Sequence, residues 1–317
     1  MAECSNPNCF VPHVGCDLGH TDLRKCPIYS GQPRSLKQSV AINDEVLLPW
    51  SGGALGIADI AFVAGRARPM TIGIVGPQNA GKTTLLASLY LLMGRQGTGL
   101  ESRKFAGSFS LAGWEAVSGS LRWDPGHPPE FPPHTTSRGG RAPGFLHMRF
   151  QNPTASLPVD YLFADAPGEW FQRWAVNRNS PEGAGALWLA DRADVFLLVA
   201  DCEALAGEGR GAARNSFKLL ARRLGDELRG RPVAFVWTKS DIEIDDAMEE
   251  SIRSSVREAV PAAVEFAVSI IPKGQEPEAN LMALFRWMLN ERRPLTHLPP
   301  PGAKRNDPLF MFGGGSA

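Results

Sequence analysis

A glycine-bearing loop followed by lysine and threonine is the first feature of this sequence that could do chemistry. Gly76-Pro-Gln-Asn-Ala-Gly81-Lys82-Thr83 matches the pattern GxxxxGK[ST] and follows an apolar run. The backbone N–H groups of such a loop, and the positive end of the helix after it, can surround phosphate oxygens. Lys82 would neutralise phosphate charge, and the Thr83 hydroxyl would bind Mg²⁺. The pattern predicts a nucleotide site, and a chance match at a strand-to-helix turn is the alternative.

A second motif stands at the end of another apolar run. The residues "YLFA" at 161–164 lead into Asp165-Ala166-Pro167-Gly168. An aspartate at the carboxyl end of a neighbouring strand can reach a Mg²⁺ ion, and a following glycine can offer its N–H to a γ-phosphate. A DxxG sequence by itself is typical of a turn. Its position after the phosphate loop favours a phosphate sensor.

A third motif could read the base of a nucleotide. The apolar run in "AFVWTKSD" ends in Thr238-Lys239-Ser240-Asp241. A carboxylate placed against a purine edge can accept hydrogen bonds from the N1–H and 2-amino groups of guanine, whereas adenine would leave it unpaired. The stem of Lys239 could lie against the base plane. The motif predicts a preference for guanine, with an ordinary polar exit from a strand as the alternative.

Cysteines are concentrated at the start of the chain, where four of the five lie within the first 26 residues. Residues 1–30 have no period long enough for a core, so metal ligation would have to hold them together. In a reducing cytosol such a cluster favours metal ligands over disulfides. We predict a zinc-binding module at 1–30, with a cysteine-bearing disordered tail as the alternative, and we assign Cys202 to the core. The candidate Zn²⁺ ligands are Cys4, Cys9, Cys16, His20 and Cys26, with His13 as a further donor.

Strands and helices that alternate from Met70 to about Arg293 must position these motifs. Such alternation predicts an α/β fold with a mostly parallel sheet and helices on both faces. The predicted strands are 70–75, 144–150, 159–164, 195–200, 232–237 and 264–269. The predicted helices are 82–94, 169–177, 182–191, 210–228, 246–260 and 280–292.

Composition divides the rest of the chain. Residues 31–69 are a predicted connector that contains a packing helix at 54–65. Residues 70–293 are the main domain, and the Pro/Gly-rich residues 294–317 are a predicted flexible tail. Inside the main domain, 95–143 form an unusually long insert, and its Pro/Gly-rich part is not expected to be rigid.

The three motifs, in this order on alternating strands and helices, resemble the regulatory and translation-factor (TRAFAC-like) class of P-loop GTPases over residues 70–293. The WSGG stretch before the domain, the DAPGE sequence of the second motif and the N-terminal cysteines are similar to bacterial double-GTPases, which are predicted to act in multi-gene conflict systems. The resemblance implies catalytic roles for Lys82, Gly168 and Glu169. It implies nucleotide binding by Gly76, Asn79, Ala80, Gly81, Lys82, Thr83, Thr84, Thr238, Lys239, Asp241 and Ser269, and Mg²⁺ binding by Thr83, Asp165 and either Thr135 or Thr136.

Several positions depart from the pattern of that class. Thr238 stands where Asn is commoner, and Ser269 lies in a sequence without the expected SAK-like triplet. Glu169 replaces the glutamine with which Ras-like members orient water, and an ionised glutamate can accept hydrogen bonds but cannot donate them. Slow hydrolysis is therefore expected. Arg138 or Arg141 is a candidate arginine finger, with a solvated charge as the alternative.

Overall composition limits the classes of partner. Lys+Arg and Asp+Glu are equal at 33 each, so no net charge recruits nucleic acid or an acidic membrane surface. The sequence has neither a long uncharged apolar run nor a signal segment, which favours a cytoplasmic protein. We predict a guanine-nucleotide switch that binds GTP and GDP with Mg²⁺, hydrolyses GTP slowly and is regulated by a protein effector. A non-hydrolysing, nucleotide-bound scaffold and a P-loop ATPase are the alternatives.

Overall fold

The computed structural model describes residues 22, 25–26, 53–65, 67–96, 103–122, 130–131, 144–152, 157–271 and 277–294. Met1–Leu48 and Pro49–Ala317 are separate compact units. All helices and strands discussed below belong to the second unit. None of the helices in its described part has the length and hydropathy of a membrane span.

A seven-stranded sheet forms the centre of the described fold and runs in the spatial order β2-β3-β4-β1-β5-β6-β7. The strands are β1 (Met70–Val75), β2 (Lys104–Gly107), β3 (Gly144–Gln151), β4 (Val159–Asp165), β5 (Val195–Asp201), β6 (Val233–Thr238) and β7 (Val264–Val268). Strands β4, β1, β5, β6 and β7 pair in parallel, whereas β2 and β3 pair antiparallel to their neighbours. The mostly parallel sheet predicted from the sequence is confirmed.

Helices cover both faces of this sheet. They are α1 (Ile60–Val63), α2 (Lys82–Gln96), α3 (Leu111–Ser118), α4 (Gly168–Val176), α5 (Ala184–Arg192), α6 (Cys202–Ala206), α7 (Arg210–Glu227), α8 (Asp246–Ala259) and α9 (Pro277–Asn290). Buried residues of α4, α5, α7 and α8 pack in one core, and those of α2, α3 and α9 pack in another. Consecutive residues of a strand point to opposite faces, so the wholly buried β5 serves both cores.

The core explains why most elements could be predicted. Phe217, Leu220, Ala221 and Leu224 recur at the helical period on α7 and are all buried. Cys202 is also buried, which confirms its assignment to the core. Burial raises the pKa of its thiol to about 12, and the nearby Asp201 contributes to the rise.

The first half of the long insert contains β2 and α3, which the sequence analysis did not predict. His147 on β3 holds them in place. Its Nδ1 accepts a hydrogen bond from the Phe109 N–H at 2.9 Å, so the proton lies on Nε2, which donates to Asp160 at 3.0 Å. The backbone of His147 donates to the Ser110 hydroxyl and accepts from the Trp114 indole N–H. These buried hydrogen bonds attach the start of the insert to the sheet.

The predicted helix over 54–65 is shorter than expected. Leu55 and Phe145 exchange two backbone hydrogen bonds of 2.8 and 2.9 Å, so Leu55 lies beside β3 in a strand-like conformation. A 3₁₀ turn at Ile57–Asp59 and the four-residue α1 follow. The pairing of Leu55 with the sheet overrides the local helical pattern. Val63 is buried in the core that contains α4, α5, α7 and α8.

Candidate functional site

The candidate site lies where the topology of the sheet changes direction. Strands β1 and β4 are neighbours, but the chain leaves β1 towards β2 on one side of the sheet and leaves β4 towards β5 on the other side. Open α/β sheets bind ligands in the crevice at such a point. The three motifs follow β1, β4 and β6, and the parallel pairing brings their carboxyl ends to the same edge of the sheet.

The glycine-bearing loop connects β1 to α2. Strand β1 ends at Val75 and α2 begins at Lys82, so the loop is the predicted turn from strand to helix. Two of its residues have positive φ, Asn79 at 62° and Gly81 at 74°. Only glycine adopts that conformation without steric cost, and asparagine tolerates it better than most residues. The first N–H groups of α2 have no partners within the helix and can therefore bind an anion.

Lys82 lies at the centre of this loop with only 7% of its surface exposed. Its ammonium group donates hydrogen bonds to the carbonyl oxygens of Gly76 at 3.2 Å and Pro77 at 2.6 Å. Burial lowers the pKa of Lys82 to about 8, while the negative charges of Asp165 and Glu169 oppose that shift. A buried cation held in this way can bind an anion without first reordering its side chain.

Thr83 and Asp165 supply two of the oxygen ligands expected for a magnesium ion. The Thr83 hydroxyl lies 3.2 Å from each carboxylate oxygen of Asp165, so the loop after β4 reaches the start of α2. Mg²⁺ prefers oxygen ligands, including carboxylates. These residues therefore fit a Mg²⁺ ion. Thr84, the next residue of α2, lines the same cavity.

The loop that contains Gly168 packs directly on the phosphate loop. A Cβ atom added to Gly168 would overlap the backbone of Pro77 and Gln78. Any side chain at position 168 would therefore push the two loops apart. Helix α4 begins at Gly168, and Glu169 is exposed in its first turn.

Thr238 joins the third motif to the phosphate loop. Its buried hydroxyl lies 3.0 Å from the carbonyl oxygen of Ala80 and 3.1 Å from that of Ala200, so one bifurcated hydrogen bond spans both. A threonine can make this contact from the end of β6. The carboxyl ends of β5 and β6 are thereby tied to the loop after β1.

Asp241 and Ser269 meet at the other end of the cavity. The Ser269 hydroxyl donates to Asp241 Oδ1 at 2.5 Å and accepts from the Ile271 N–H at 2.9 Å. The side chain of Lys239 lies nearby and donates to Asp201 at 2.9 Å and to Glu203 at 2.7 Å. The loops after β6 and β7 are therefore in direct contact, although the sequence around Ser269 lacks the expected triplet.

One cavity of about 410 Å³ connects these groups. Its lining includes residues that sequence reasoning did not select, such as Phe131 and Glu203. Asp201, which binds Lys239, was also missed. The sequence contains a signal for Asp201, because the apolar run of β5 ends in an aspartate just as that of β4 does. The predicted site residues in the lining are Asn79, Ala80, Gly81, Lys82, Thr83, Thr84, Gly168, Glu169, Thr238, Lys239, Asp241 and Ser269.

Other predicted site residues lie outside the described part of the chain. They include the two candidates for the first-switch threonine, Thr135 and Thr136, and the candidate arginine fingers Arg138 and Arg141. Of the predicted zinc ligands, the structure describes Cys26, whose thiol is buried and not in a disulfide. No group of three or more potential metal-binding side chains occurs within the described residues. Cys4, Cys9, Cys16 and His20 lie beyond them.

The fold and the arrangement of the three motifs define a P-loop GTPase. The family model described as Double-GTPase 2 matches residues 70–287. The chain belongs to the Double-GTPase 2 family.

One similar solved structure is a nucleolar GTP-binding protein 1 from Plasmodium falciparum, with 14% sequence identity and a TM-score of 0.40. The similarity covers 70% of this chain and 87% of that chain. No curated protein matches.

Proposed function

We propose that the protein binds GTP and GDP with Mg²⁺ in this cavity and hydrolyses GTP slowly until a protein partner accelerates the reaction. One observation carries the proposal: the phosphate loop, the loop that contains Gly168 and the loop that contains Asp241 line a single cavity of about 410 Å³. This volume lies within the range of about 300–1,000 Å³ that is typical of small-molecule sites. The two ends of the cavity suit the two ends of a guanine nucleotide.

The phosphate end would bind anionic oxygens through backbone and side chain together. The carbonyl oxygens of Gly76 and Pro77 hold the Lys82 ammonium at this loop, where it would bind a β- or γ-phosphate together with the loop N–H groups. Gly168 lies against the same loop and would offer its N–H to a γ-phosphate. Thr83 and Asp165 would hold Mg²⁺, which when bound neutralises phosphate charge.

The base end would select guanine through Asp241. The hydrogen bond from Ser269 fixes the orientation of this carboxylate before a ligand arrives. An oriented carboxylate can accept from the N1–H and 2-amino groups of guanine, whereas adenine presents no matching pair of donors. Asp241 is half-buried, and with adenine it would lose both of these base donors, at a cost of about 1–3 kcal/mol. This difference favours GTP over ATP.

The position of Glu169 supports the proposed regulation by a partner. Its side chain is exposed, so the water that attacks the γ-phosphate has no enclosed position beside it in this structure. Closing the site over the nucleotide would exclude solvent and fix that water. Glu169 could then act as a base. A scaffold that binds nucleotide without turnover is the second candidate, because Glu169 is open to solvent.

We also propose that residues 1–30 form a zinc-binding module that docks the GTPase domain to a partner. Cysteine and histidine ligands in such numbers usually make closed, structural zinc sites. The proposal is supported by the ligand count in the sequence and is independent of the nucleotide site.

Competition between nucleotides tests the proposed function. A fluorescent GDP analogue is bound with Mg²⁺ and then displaced by GTP, ATP or XTP. We expect GTP to displace it at concentrations at least tenfold lower than ATP, because about 1.4 kcal/mol of discrimination corresponds to a factor of ten. Equal displacement by GTP and ATP would contradict the proposal.

Substitution at Asp241 adds a check on the base. Asp241→Asn should weaken GTP binding and strengthen XTP binding, because an amide can donate to the 2-carbonyl oxygen of xanthine. Asp226→Asn, at an exposed aspartate of α7, is the matched control and should leave both affinities unchanged. Lys82→Ala should weaken every nucleotide, since it removes a phosphate contact. A measurement of GTP turnover then distinguishes a GTPase from a scaffold that binds nucleotide without hydrolysing it.

A further inference from the structure

Asp201 occupies a position from which it can organise the base end of the cavity. It is the last residue of β5, and the register of the sheet places it opposite Thr238 at the end of β6. Lys239 directly follows Thr238 in the chain, so its side chain begins beside Asp201. The Asp201 side chain is 5% exposed and is therefore shielded from solvent.

The two carboxylate oxygens of Asp201 have different partners. Oδ1 accepts hydrogen bonds from the N–H groups of Glu203 at 3.0 Å and Ala204 at 3.4 Å, which caps the start of α6. Oδ2 accepts a hydrogen bond of 2.9 Å from the Lys239 ammonium. One side chain thus ties the lysine of the third motif to a helix that contains none of the three motifs.

Glu203 completes the enclosure of the Lys239 ammonium. The capping hydrogen bond holds the first turn of α6, and from there Glu203 Oε2 approaches Lys239 Nζ to 2.7 Å. Two carboxylates therefore bind one ammonium. Burial lowers the pKa of Lys239, but the hydrogen bonds that Lys239 donates to Glu203 and Asp201, with the charges of these carboxylates, outweigh that effect and leave the pKa raised. The lysine stays protonated.

The backbone of Lys239 also needs support. Its φ angle is 54°, a left-handed conformation that is uncommon for residues other than glycine. Lysine has one of the most rotamer-rich side chains, and fixing it on ligand binding reduces affinity. A side chain that is already held between two carboxylates avoids most of this loss.

We propose that Asp201 and Glu203 are positioning residues, which hold the side chain of Lys239 along the wall of the cavity so that its aliphatic stem packs against the purine of the bound nucleotide. This inference rests on the proposed function of the site. Asp201 and Glu203 act through Lys239 and need not touch the nucleotide. Because stacking involves the ring and not its substituents, they contribute equally to the binding of guanine and hypoxanthine.

The same arrangement makes the two ends of the cavity electrostatically different. At the base end, Asp201 and Glu203 bind the Lys239 ammonium and Asp241 adds a third carboxylate to the same region, whereas at the other end Lys82 and the start of α2 supply N–H donors. A nucleotide that entered with its phosphates at the base end would be repelled. The positioning residues therefore also favour the orientation in which the phosphates lie beside Lys82.

A double-mutant cycle tests this inference with GDP and IDP as ligands. Asp201→Ser keeps an acceptor that can cap α6 but is too short to hold Lys239. We expect Asp201→Ser, Glu203→Gln and Lys239→Met each to weaken GDP and IDP binding by the same factor, about fivefold to tenfold. Combining Asp201→Ser with Lys239→Met should weaken binding no further than Lys239→Met does alone. Glu208→Gln, in the exposed loop between α6 and α7, is the control and should bind as the wild type does.

Several results would overturn the inference. An effect of Asp201→Ser that is equally large with and without Lys239 would mean that Asp201 acts only through the fold, as would a loss of thermal stability that accounts for the whole change. If Asp201→Ser changed the ratio of GDP affinity to IDP affinity, Asp201 itself would recognise the 2-amino group of the base. If Asp201→Ser does not fold, Asp201→Asn and Glu203→Gln complete the cycle. Failure of the wild type to bind GDP or IDP would instead refute the proposed function.

Discussion

Gly168 and Gln78 are packed so closely that a single methyl group on Gly168 would overlap the backbone nitrogen of Gln78. The first residue of α4 therefore touches the phosphate loop directly, with no side chain between them. We expect the γ-phosphate to be sensed at this contact, because Gly168 and the phosphate loop line the same cavity.

Gly168→Ala should consequently separate the two loops. Overpacking of this kind costs about 1–3 kcal/mol, so we expect GTP affinity to fall about tenfold or more. GDP lacks the γ-phosphate that Gly168 would contact, and its affinity should fall less. Isothermal titration calorimetry with GDP and a non-hydrolysable GTP analogue measures both.

The matched control for this prediction is Gly94→Ala. Gly94 lies in α2, and an added Cβ would have no atom within 4 Å. Alanine favours a helix over glycine by roughly 0.5–1 kcal/mol, so Gly94→Ala should bind both nucleotides normally and melt slightly higher. If Gly168→Ala bound the GTP analogue as tightly as Gly94→Ala does, the contact at Gly168 would have no role in sensing phosphate.

Proton uptake by Lys82 should accompany nucleotide binding. In the free protein the pKa of Lys82 is lowered to about 8, chiefly by burial. Phosphate favours the charged form, so the pKa must rise when a nucleotide binds. Above pH 8 the free lysine is increasingly neutral and binding has to add a proton, so affinity should fall as the pH rises, approaching tenfold per pH unit. Below about pH 7 the lysine is charged in both states and this dependence should vanish.

Calorimetry in two buffers with different ionisation enthalpies measures the proton uptake. At pH 8.5 we expect a clear difference between buffers for the wild type and little difference for Lys82→Ala. The pH is kept below the range in which guanine loses its own N1 proton. Equal uptake by the wild type and Lys82→Ala would place the titrating group elsewhere.

The main features of the fold could be predicted because its strands are buried and its helices periodic. Strand β5 is apolar up to its final Asp201, and a short apolar run between helical patterns is typical of a parallel strand with both faces covered. The three motifs could be placed at one edge of the sheet for the same reason, since parallel strands have their carboxyl ends together. The cavity that they share follows from this topology.

Other features depend on contacts that no local pattern shows. Strand β2 has the sequence "KFAG", with three exposed residues, and is a strand because it pairs with β3. Helix α3 is held by Trp114, whose ring packs on Tyr90 and whose indole N–H reaches His147. The role of Asp201 depends on the register of β5 against β6, which brings it beside Lys239. Such long-range pairings override local propensity.

Zinc content tests the predicted N-terminal module independently of the nucleotide site. We expect about one zinc ion per chain in protein purified without chelator, since a structural site needs four of the available ligands. Cys9→Ser and Cys16→Ser should each lower the zinc content and increase proteolysis near the N-terminus, while the affinity for GDP changes less than twofold. Cys202→Ser is the control, because Cys202 is buried in the core that contains α4, α5, α7 and α8. Protein that contains no metal by elemental analysis would rule out the module.

Hydrolysis should depend on Glu169 only when the site is closed. Glu169 is exposed on the first turn of α4, yet its charge raises the pKa of Lys82, so it lies near the phosphate end. An ionised glutamate accepts hydrogen bonds from water but cannot donate to the γ-phosphate, and it adds negative charge beside an anionic transition state. In the open site it therefore helps little, and single-turnover hydrolysis by the isolated protein should be slow. In a closed, water-poor site it can take the proton of the attacking water, a role that accelerates hydrolysis about a hundredfold or more.

Glu169→Ala should then abolish most of the acceleration that a partner or self-association produces, while the affinity for GTP is retained. Gln172→Ala, at an exposed position on the same helix, should leave the acceleration intact. A fast basal rate that Glu169→Ala does not change would move the activation of water to another residue, with Arg138 and Arg141 as the first to be substituted.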